Sequence, residues 1–420
     1  MMNRPYLCRI SDKWLDKALK RSGAVLIEGP KWCGKTRTAE EKAASVLYMQ
    51  DQDYTDSYLK TADTKPSLLL EGGSPRLIDE WQLAPVLWDA VRFAVDRRRK
   101  KGQFILTGSA VPIDNAVRHT GTGRISRLLM RPMSLFESLE SSCAVSLKSL
   151  FDGNADGECV SAMTIERLAY VLARGGWPAS IGEDDALQMV HDYVDAVINI
   201  DVSRVDGIEK NPVRIRALMR SLARNVSTAA NIAVIKADIA AGEESISDKT
   251  ISSYLNALRR IFVIEDLPAW SPALRSKTVV RTSPKRHFVD PSIAAAVLRA
   301  SPDSLLRDFN TFGLLFESLC IRDLRVYAQA NDGDVFHYLD KNGLEADAII
   351  HLKDGRWGAV EVKMGSKETD AAVKNLKTLR DRVNCDKMQE PSFLMVLTCT
   401  EYGYRREDGV YITPIGCLRE

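Results

Sequence analysis

Along the first third of the chain, short apolar runs ending in glycine, hydroxyl or acidic residues predict strands over 24–28, 45–49, 76–78, 104–107 and 128–134. Between them, charged and apolar positions mix at helical spacing over the first 20 residues, over 37–44 and over 88–101. In the last of these, Trp88, Val91 and Val95 share one face, while the run from Arg97 to Lys101 suits solvent. Strand and helix in alternation predict an α/β domain with a parallel sheet over residues 1–140.

Beyond residue 140 the pattern changes. Ser, Gly, Asp and Cys dominate 141–158, which reads as a linker. Helical spacing resumes over 164–173 and 185–200, interrupted by Gly175, Gly176, Trp177 and Pro178. The segment 160–210 is thus a helical lid or a packed spacer. Residues 211–290 then carry three helical stretches, 214–224, 232–241 and 248–260, with a turn at Gly242 to Glu244 and two short apolar stretches, 262–265 and 278–282. That order predicts a winged-helix segment. The remainder, 291–420, predicts a helix over 313–326 and a hairpin of strands 344–350 and 358–363 about the turn Lys353 to Arg356.

The chemistry begins at the end of the first strand. Gly29, Pro30, Lys31, Trp32, Cys33, Gly34, Lys35 and Thr36 match the phosphate loop G-x-x-x-x-G-K-[ST], with a strand before and a helix after. Such a loop turns backbone N–H groups toward an anion, and glycines keep Cβ atoms out of its way. Lys35 is expected on the β- and γ-phosphates of ATP and Thr36 on Mg²⁺. The third strand ends in Asp79, expected to support the metal, and Glu80, expected to polarise the attacking water. The fourth ends in Thr107 and Ser109, placed beside the γ-phosphate because open parallel sheets bind ligands beyond the carboxyl ends of their strands. The stretch between the loop and the acid-bearing strand suits the ATPase class with an inserted strand and a catalytic Glu. Arg124 is the first candidate for an arginine finger supplied by a neighbouring copy, and Arg127 the second.

A second set of candidates lies in the last third. The hairpin brings Asp347 near Glu361 and Lys363, and alternation puts Glu361 and Lys363 on one face. Two carboxylates and a lysine suit a divalent metal and a pentacovalent phosphate, with Glu317 on the preceding helix completing the shell. All these ligands are oxygens, which favours Mg²⁺.

Composition narrows the partners. The 420 residues carry a formal charge of only +2, so attraction to nucleic acid has to be local. It concentrates from Lys249 to Arg286, where eight Lys or Arg meet two acids and Tyr254 and Asn256 lie on the presumed recognition helix. No apolar run has the length of a membrane span, and the scattered eight cysteines form no C-x-x-C pair, which fits reduced thiols in a cytosol. A protein partner in place of DNA, and a homo-oligomer, stay open.

The phosphate loop, the Leu77 to Glu80 strand, the Leu106 to Ser109 strand end and the run from Gly123 through Arg131 to Ser134 resemble prokaryotic AAA-type P-loop ATPases with an uncharacterised C-terminal domain. The likeness extends to Gly175 to Pro178 and to Glu361, Val362 and Lys363. The C-terminal part is similar to the restriction-endonuclease-like fold. That resemblance maps the fold's acid and acid-x-lysine onto Asp347, Glu361 and Lys363, and its helix acid onto Glu317. It implies ATP binding first, and ATP hydrolysis coupled to DNA contact or to regulation of a nuclease-like domain. The alternative is a nucleotide-dependent switch that binds a protein through an inactive nuclease-like fold.

Overall fold

The computed structural model describes residues 5–109, 120–205, 207–241, 246–272, 283–383 and 388–420. The chain forms two compact units. The first comprises 1–132, 200–210 and 256–263, the second 133–199, 211–255 and 264–420.

The first unit is built on five parallel strands: β1 (Ala24–Glu28), β2 (Ser45–Tyr48), β3 (Arg76–Asp79), β4 (Phe104–Gly108) and β5 (Ile125–Leu129). Their spatial order is β2-β3-β4-β1-β5. The strand inserted between the loop-bearing β1 and the acid-bearing β3 is therefore β4, whereas β2 lies at the edge. Alternation along β1 divides two cores. Ala24 and Leu26 pack with Trp88 and Val91 of the helix Val86–Arg98. Val25 and Ile27 face the other way, onto Leu15 and Ala18 of the helix Ile10–Arg21. With both faces covered, β4 is buried along its whole length, which is why its sequence reads as a continuous apolar run.

The second unit contains a seven-stranded mixed sheet. In chain order its strands are β7 (Cys159–Val160), β8 (Gly333–Leu339), β9 (Glu345–Leu352), β10 (Trp357–Val362), β11 (Phe393–Thr398), β12 (Tyr402–Arg405) and β13 (Tyr411–Pro414). The order across the sheet is β7-β12-β13-β11-β10-β9-β8. The helix Thr369–Arg382 lays Ala372, Val373, Leu376 and Leu379 on one face, against Ile349, Trp357 and Val396. The 22-residue helix Phe309–Ala330 is capped by Asp308, which accepts the Thr311 N–H, and packs on β8 and β9.

Several expectations change here. The strand read at 128–134 lies earlier, at Ile125–Leu129, where Ser126 and the exposed Arg127 interrupt the apolar run. The stretch read as a linker is part of this unit. β6 (Val145–Ser146) pairs with β14 (Leu418–Arg419), β7 pairs with β12, and Phe151 stacks edge-on to Phe393 at 5.1 Å. Leu147, Leu150 and Phe151 dock it from one face of a helix only five residues long, too short for its period to stand out among the polar residues around it. The helices read as a lid or a packed spacer, Ile165–Arg174 and Ala186–Ala196, pack on the helix Pro291–Leu298 of this same unit. Residues read as three successive segments thus contribute to one compact unit.

The three helices of the winged-helix reading are present as Pro212–Arg224, Ile232–Ala240 and Asp248–Arg260. The turn at 242–244 and the strand at 278–282 lie outside the described residues. The stretch 262–265 forms a single bridge, Ile264 to Phe288, and Phe262 has a positive φ, so no regular strand begins there. Tyr254 is buried, its hydroxyl accepting the Asn211 N–H at 3.2 Å, and it presents no recognition surface.

Candidate nucleotide-binding site

The loop between β1 and the helix Lys35–Glu40 turns on two glycines. Gly29 (φ 153°) leaves no room for a side chain, since a Cβ there would lie 2.1 Å from the Met130 carbonyl oxygen. Gly34, with φ 97°, directs the chain into the helix. Lys35 is buried at the centre, its ammonium donating to the carbonyls of Gly29 at 3.0 Å and Pro30 at 2.7 Å. Arg9 clamps the loop from outside, donating to the Cys33 carbonyl at 2.7 Å and the Arg131 carbonyl at 2.8 Å. Lys31 pairs with Asp201 at 2.6 Å, and Cys33 is a buried filler whose thiol faces the Met130 carbonyl at 3.4 Å. Neither Arg9 nor Asp201 is flagged by any motif, because each reaches the loop only through the fold.

The acids at the end of β3 are held by a polar lattice. Asp79 is 1% exposed. One of its oxygens accepts from Thr36 Oγ1 at 2.7 Å and Thr107 Oγ1 at 2.5 Å, the other from Gln50 Nε2 at 2.6 Å. Thr107 also accepts the Glu80 N–H at 3.3 Å. Its hydroxyl thus donates to one acid and accepts from the backbone of the other, which fixes both in place. Glu80 sits in the left-handed region (φ 55°, ψ 47°), and its carboxylate accepts from Ser109 Oγ at 3.2 Å and from the Gln82 amide. A bulky residue held in that conformation by three separate contacts is strain retained at a fixed position. Thr36 and Asp79 offer adjoining oxygen donors of the kind Mg²⁺ takes, so this end of the site fits that ion.

The arginines are placed differently. The Arg124 carbonyl bonds the N–H of Ala24, the first residue of β1, so Arg124 stands at the opposite end of the strand from the phosphate loop, paired with Asp96 at 2.9 Å. Arg127 lies nearer the loop, paired with Glu28 at 3.0 Å and above the Trp88 ring.

In the second unit the hairpin forms as expected. β9 and β10 pair through Ala348 and Val360, which sets Asp347 and Glu361 at neighbouring positions on the two strands. Lys363 Nζ lies 3.1 Å from Glu361 and 3.9 Å from Asp347. Glu317 joins them, but through Lys285, whose ammonium touches Glu317, Glu345 and Asp347 together. The sequence reading counted Lys285 and Arg286 among the bases facing DNA. Both are buried, Arg286 against Asp266 at 2.8 Å, so neither reaches a phosphate backbone.

Burial, then the Asp347 charge, pushes both Glu317 and Glu361 up to about 8. For Lys285, burial disfavours the ammonium but is outweighed by Glu317, Asp347 and Glu345, and its pKa rises. Between the usual carboxylate range and about 8, the folded chain keeps protons on these two acids that the unfolded chain has released. Stability therefore falls as pH rises through that window. Calorimetry of the nucleotide-free chain is expected to give a lower melting temperature at about pH 9 than at about pH 5.5, with a shallower decline in Glu317→Gln. A profile equally steep in the variant would remove Glu317 as a source.

Comparison with known proteins agrees with the nucleotide site. Residues 21–139 match the family described as an AAA domain. With the loop geometry above, this part of the chain carries a P-loop nucleotide-binding domain. Residues 165–304 and 312–418 match two domains of unknown function, DUF8612 and DUF4143. Among curated proteins, the uncharacterized proteins Rv2008c of Mycobacterium tuberculosis and Mb2031c of Mycobacterium bovis are each 23% identical over 359 residues, 84% of this chain and 73% of theirs. Among solved structures, the Walker-type ATPase PABY2304 of Pyrococcus abyssi aligns with 14% identity and a TM-score of 0.41, over 70% of this chain and 99% of its own. No described helix is long and apolar enough to cross a membrane.

Proposed function

We propose that this protein hydrolyses ATP to ADP and phosphate in a Mg²⁺-dependent reaction and uses the cycle to switch contact with a macromolecular partner in the cytosol. The observation that carries the hydrolytic reading is the single hydroxyl of Thr107, which bonds both Asp79 and the Glu80 backbone and so sets the two acids in fixed relation to Thr36. Lys35 exchanges the carbonyls of Gly29 and Pro30 for phosphate oxygens, and the loop N–H groups receive the remaining charge. Thr36 and Asp79 hold Mg²⁺, which when bound neutralises charge on the phosphates. Glu80, oriented by Ser109 and Gln82, accepts the proton of the attacking water. Arg124 serves a nucleotide on an adjoining copy, which makes the active form a homo-oligomer.

The partner divides two readings. DNA contact through the region from Lys249 to Arg286 is one, and a protein partner bound by an inactive nuclease-like fold is the other. Burial of Lys285 and Arg286 in ion pairs favours the second. Steady-state ATP hydrolysis by the wild type and Lys35→Ala, with and without single- and double-stranded DNA, tests both. Turnover indifferent to DNA and lost in Lys35→Ala is the expected result. Stimulation by DNA would restore the first reading, and no turnover in the wild type would sink the hydrolytic proposal.

A further inference from the structure

The carboxylates that the nuclease-like resemblance assigns to a divalent ion converge here on an amine of the same chain. Lys285 Nζ lies 2.6 Å from Glu345 Oε1, 3.0 Å from Glu317 Oε1 and 3.3 Å from Asp347 Oδ1. An ammonium has three N–H donors, and three carboxylates account for all of them. The other Asp347 oxygen accepts the Val362 N–H at 2.8 Å, and Glu361 is engaged by Lys363. Among the described residues, no group of three His, Cys, Asp or Glu is arranged to hold a metal ion. The donor set therefore does not fit the Mg²⁺ that the fold resemblance implies.

The lysine is anchored where it stands. Its own N–H and carbonyl both bond Leu267, at 3.0 and 2.9 Å, in an antiparallel bridge. The next residue is fixed as well. Arg286 exchanges backbone bonds with Thr228 and Ser227, and its guanidinium bonds the Ala230 carbonyl and Asp266. The backbone is held on both sides and the side chain is only 6% exposed, with Glu345 the one partner that faces solvent.

We propose that Lys285 is a tethered counter-ion that takes the place of the divalent cation in this acid cluster and closes the cluster to Mg²⁺ and Mn²⁺. Mg²⁺ demands oxygens at about 2.0–2.1 Å in octahedral array and gives up its waters reluctantly. Entry would require expelling a buried, triply paired ammonium or sharing the cluster with a like charge at close range. While Lys285 stays in place, the cluster performs no metal-dependent phosphodiester hydrolysis. The inference rests on the nuclease-like reading of this domain and is independent of the ATPase reading.

The test is Mn²⁺ uptake by the full-length chain without nucleotide, followed by the loss of the free-ion EPR signal. Wild type and Asp347→Asn are expected to take up Mn²⁺ alike. Lys285→Ala is expected to gain one further site, lost again in the Lys285→Ala, Asp347→Asn double variant. Lys285→Arg, which keeps the charge, is expected to gain none. Mn²⁺ held by the wild type and released in Asp347→Asn would overturn the proposal, as would a folded Lys285→Ala that gains nothing. If Lys285→Ala does not fold, the comparison of wild type with Asp347→Asn still decides. ATP turnover measured on the same wild-type preparation bears on the ATPase reading alone, so the failure of one is distinguishable from that of the other.

Discussion

Glu80→Gln is expected to lower kcat for ATP hydrolysis by about 10²- to 10⁴-fold while leaving ATP affinity within a few-fold of wild type. The amide has the size of the carboxylate and keeps an oxygen that accepts from Ser109, and the backbone bond from the residue 80 N–H to Thr107 is untouched. Asp79, Thr36 and Lys35 lie in the rest of the lattice, so binding does not depend on the exchanged group. What is lost is the capacity to take a proton from water. The variant should therefore hold ATP without turning it over, which phosphate release and nucleotide binding measured on one preparation will show. A kcat within about threefold of wild type would remove Glu80 from the role of base.

The second large effect is expected far from any reacting atom. Asp290 is fully buried and satisfies three donors at once. It accepts the Ser292 N–H at 2.9 Å as cap of the helix Pro291–Leu298, the Gly176 N–H at 3.0 Å, and Arg322 Nη1 at 2.9 Å. Arg322 in turn pairs with Asp323 at 2.7 Å, and Asp323 accepts the Leu135 N–H at 2.9 Å. One network thus joins four separated stretches of chain in the second unit. Truncating one partner of a buried, hydrogen-bonded ion pair typically costs about 3–5 kcal/mol, because the remaining charge has no water to replace it. Asp290→Ala is expected to destabilise the second unit by about that amount in chemical denaturation, and Asp290→Asn by less, since an amide oxygen in the place of Oδ2 still accepts from Gly176 and Arg322 and only the Ser292 N–H loses its acceptor. A loss under about 1 kcal/mol for the alanine variant would show that Asp323 alone compensates Arg322.

This network also explains the Gly175 to Pro178 stretch, which the family resemblance singles out without giving it a task. A Cβ on Gly176 would lie 2.0 Å from the Met133 carbonyl oxygen, and the Met133 N–H bonds the Gly176 carbonyl at 2.6 Å. Trp177 is fully buried, its indole N–H donating to Ser292 at 3.0 Å. The residues are a joint in the core of the second unit and touch no candidate site.

What could be read along the chain was whatever depends on near neighbours. The phosphate loop is eight consecutive residues between a strand and a helix, and its glycines are demanded by local backbone conformation. The approach of Asp347 to Glu361 and Lys363 follows from one hairpin, whose turn and alternation are visible in order. β1 and β4 were legible because, covered on both faces, they are nearly continuous apolar runs, whereas the last strand, Ile125–Leu129, was placed too late in the chain because Ser126 and the exposed Arg127 interrupt it. The linker was misread because its docking rests on a single short helix, Leu147–Phe151, whose three apolar positions are too few to show a period.

Through-space pairing decided the rest. Gln50 and Thr107 come to Asp79 only when β2 and β4 take their places on either side of β3. Lys285 stands 62 residues before Asp347 and looked like any other base in a basic stretch. Only its bridge to Leu267 turns it inward among the carboxylates. A charged side chain has no sequence period that reveals its counter-charge, because the field it meets is set by distance and burial after folding. The residue types that make each site were therefore written in the chain, and the tertiary structure settled which of them face one another.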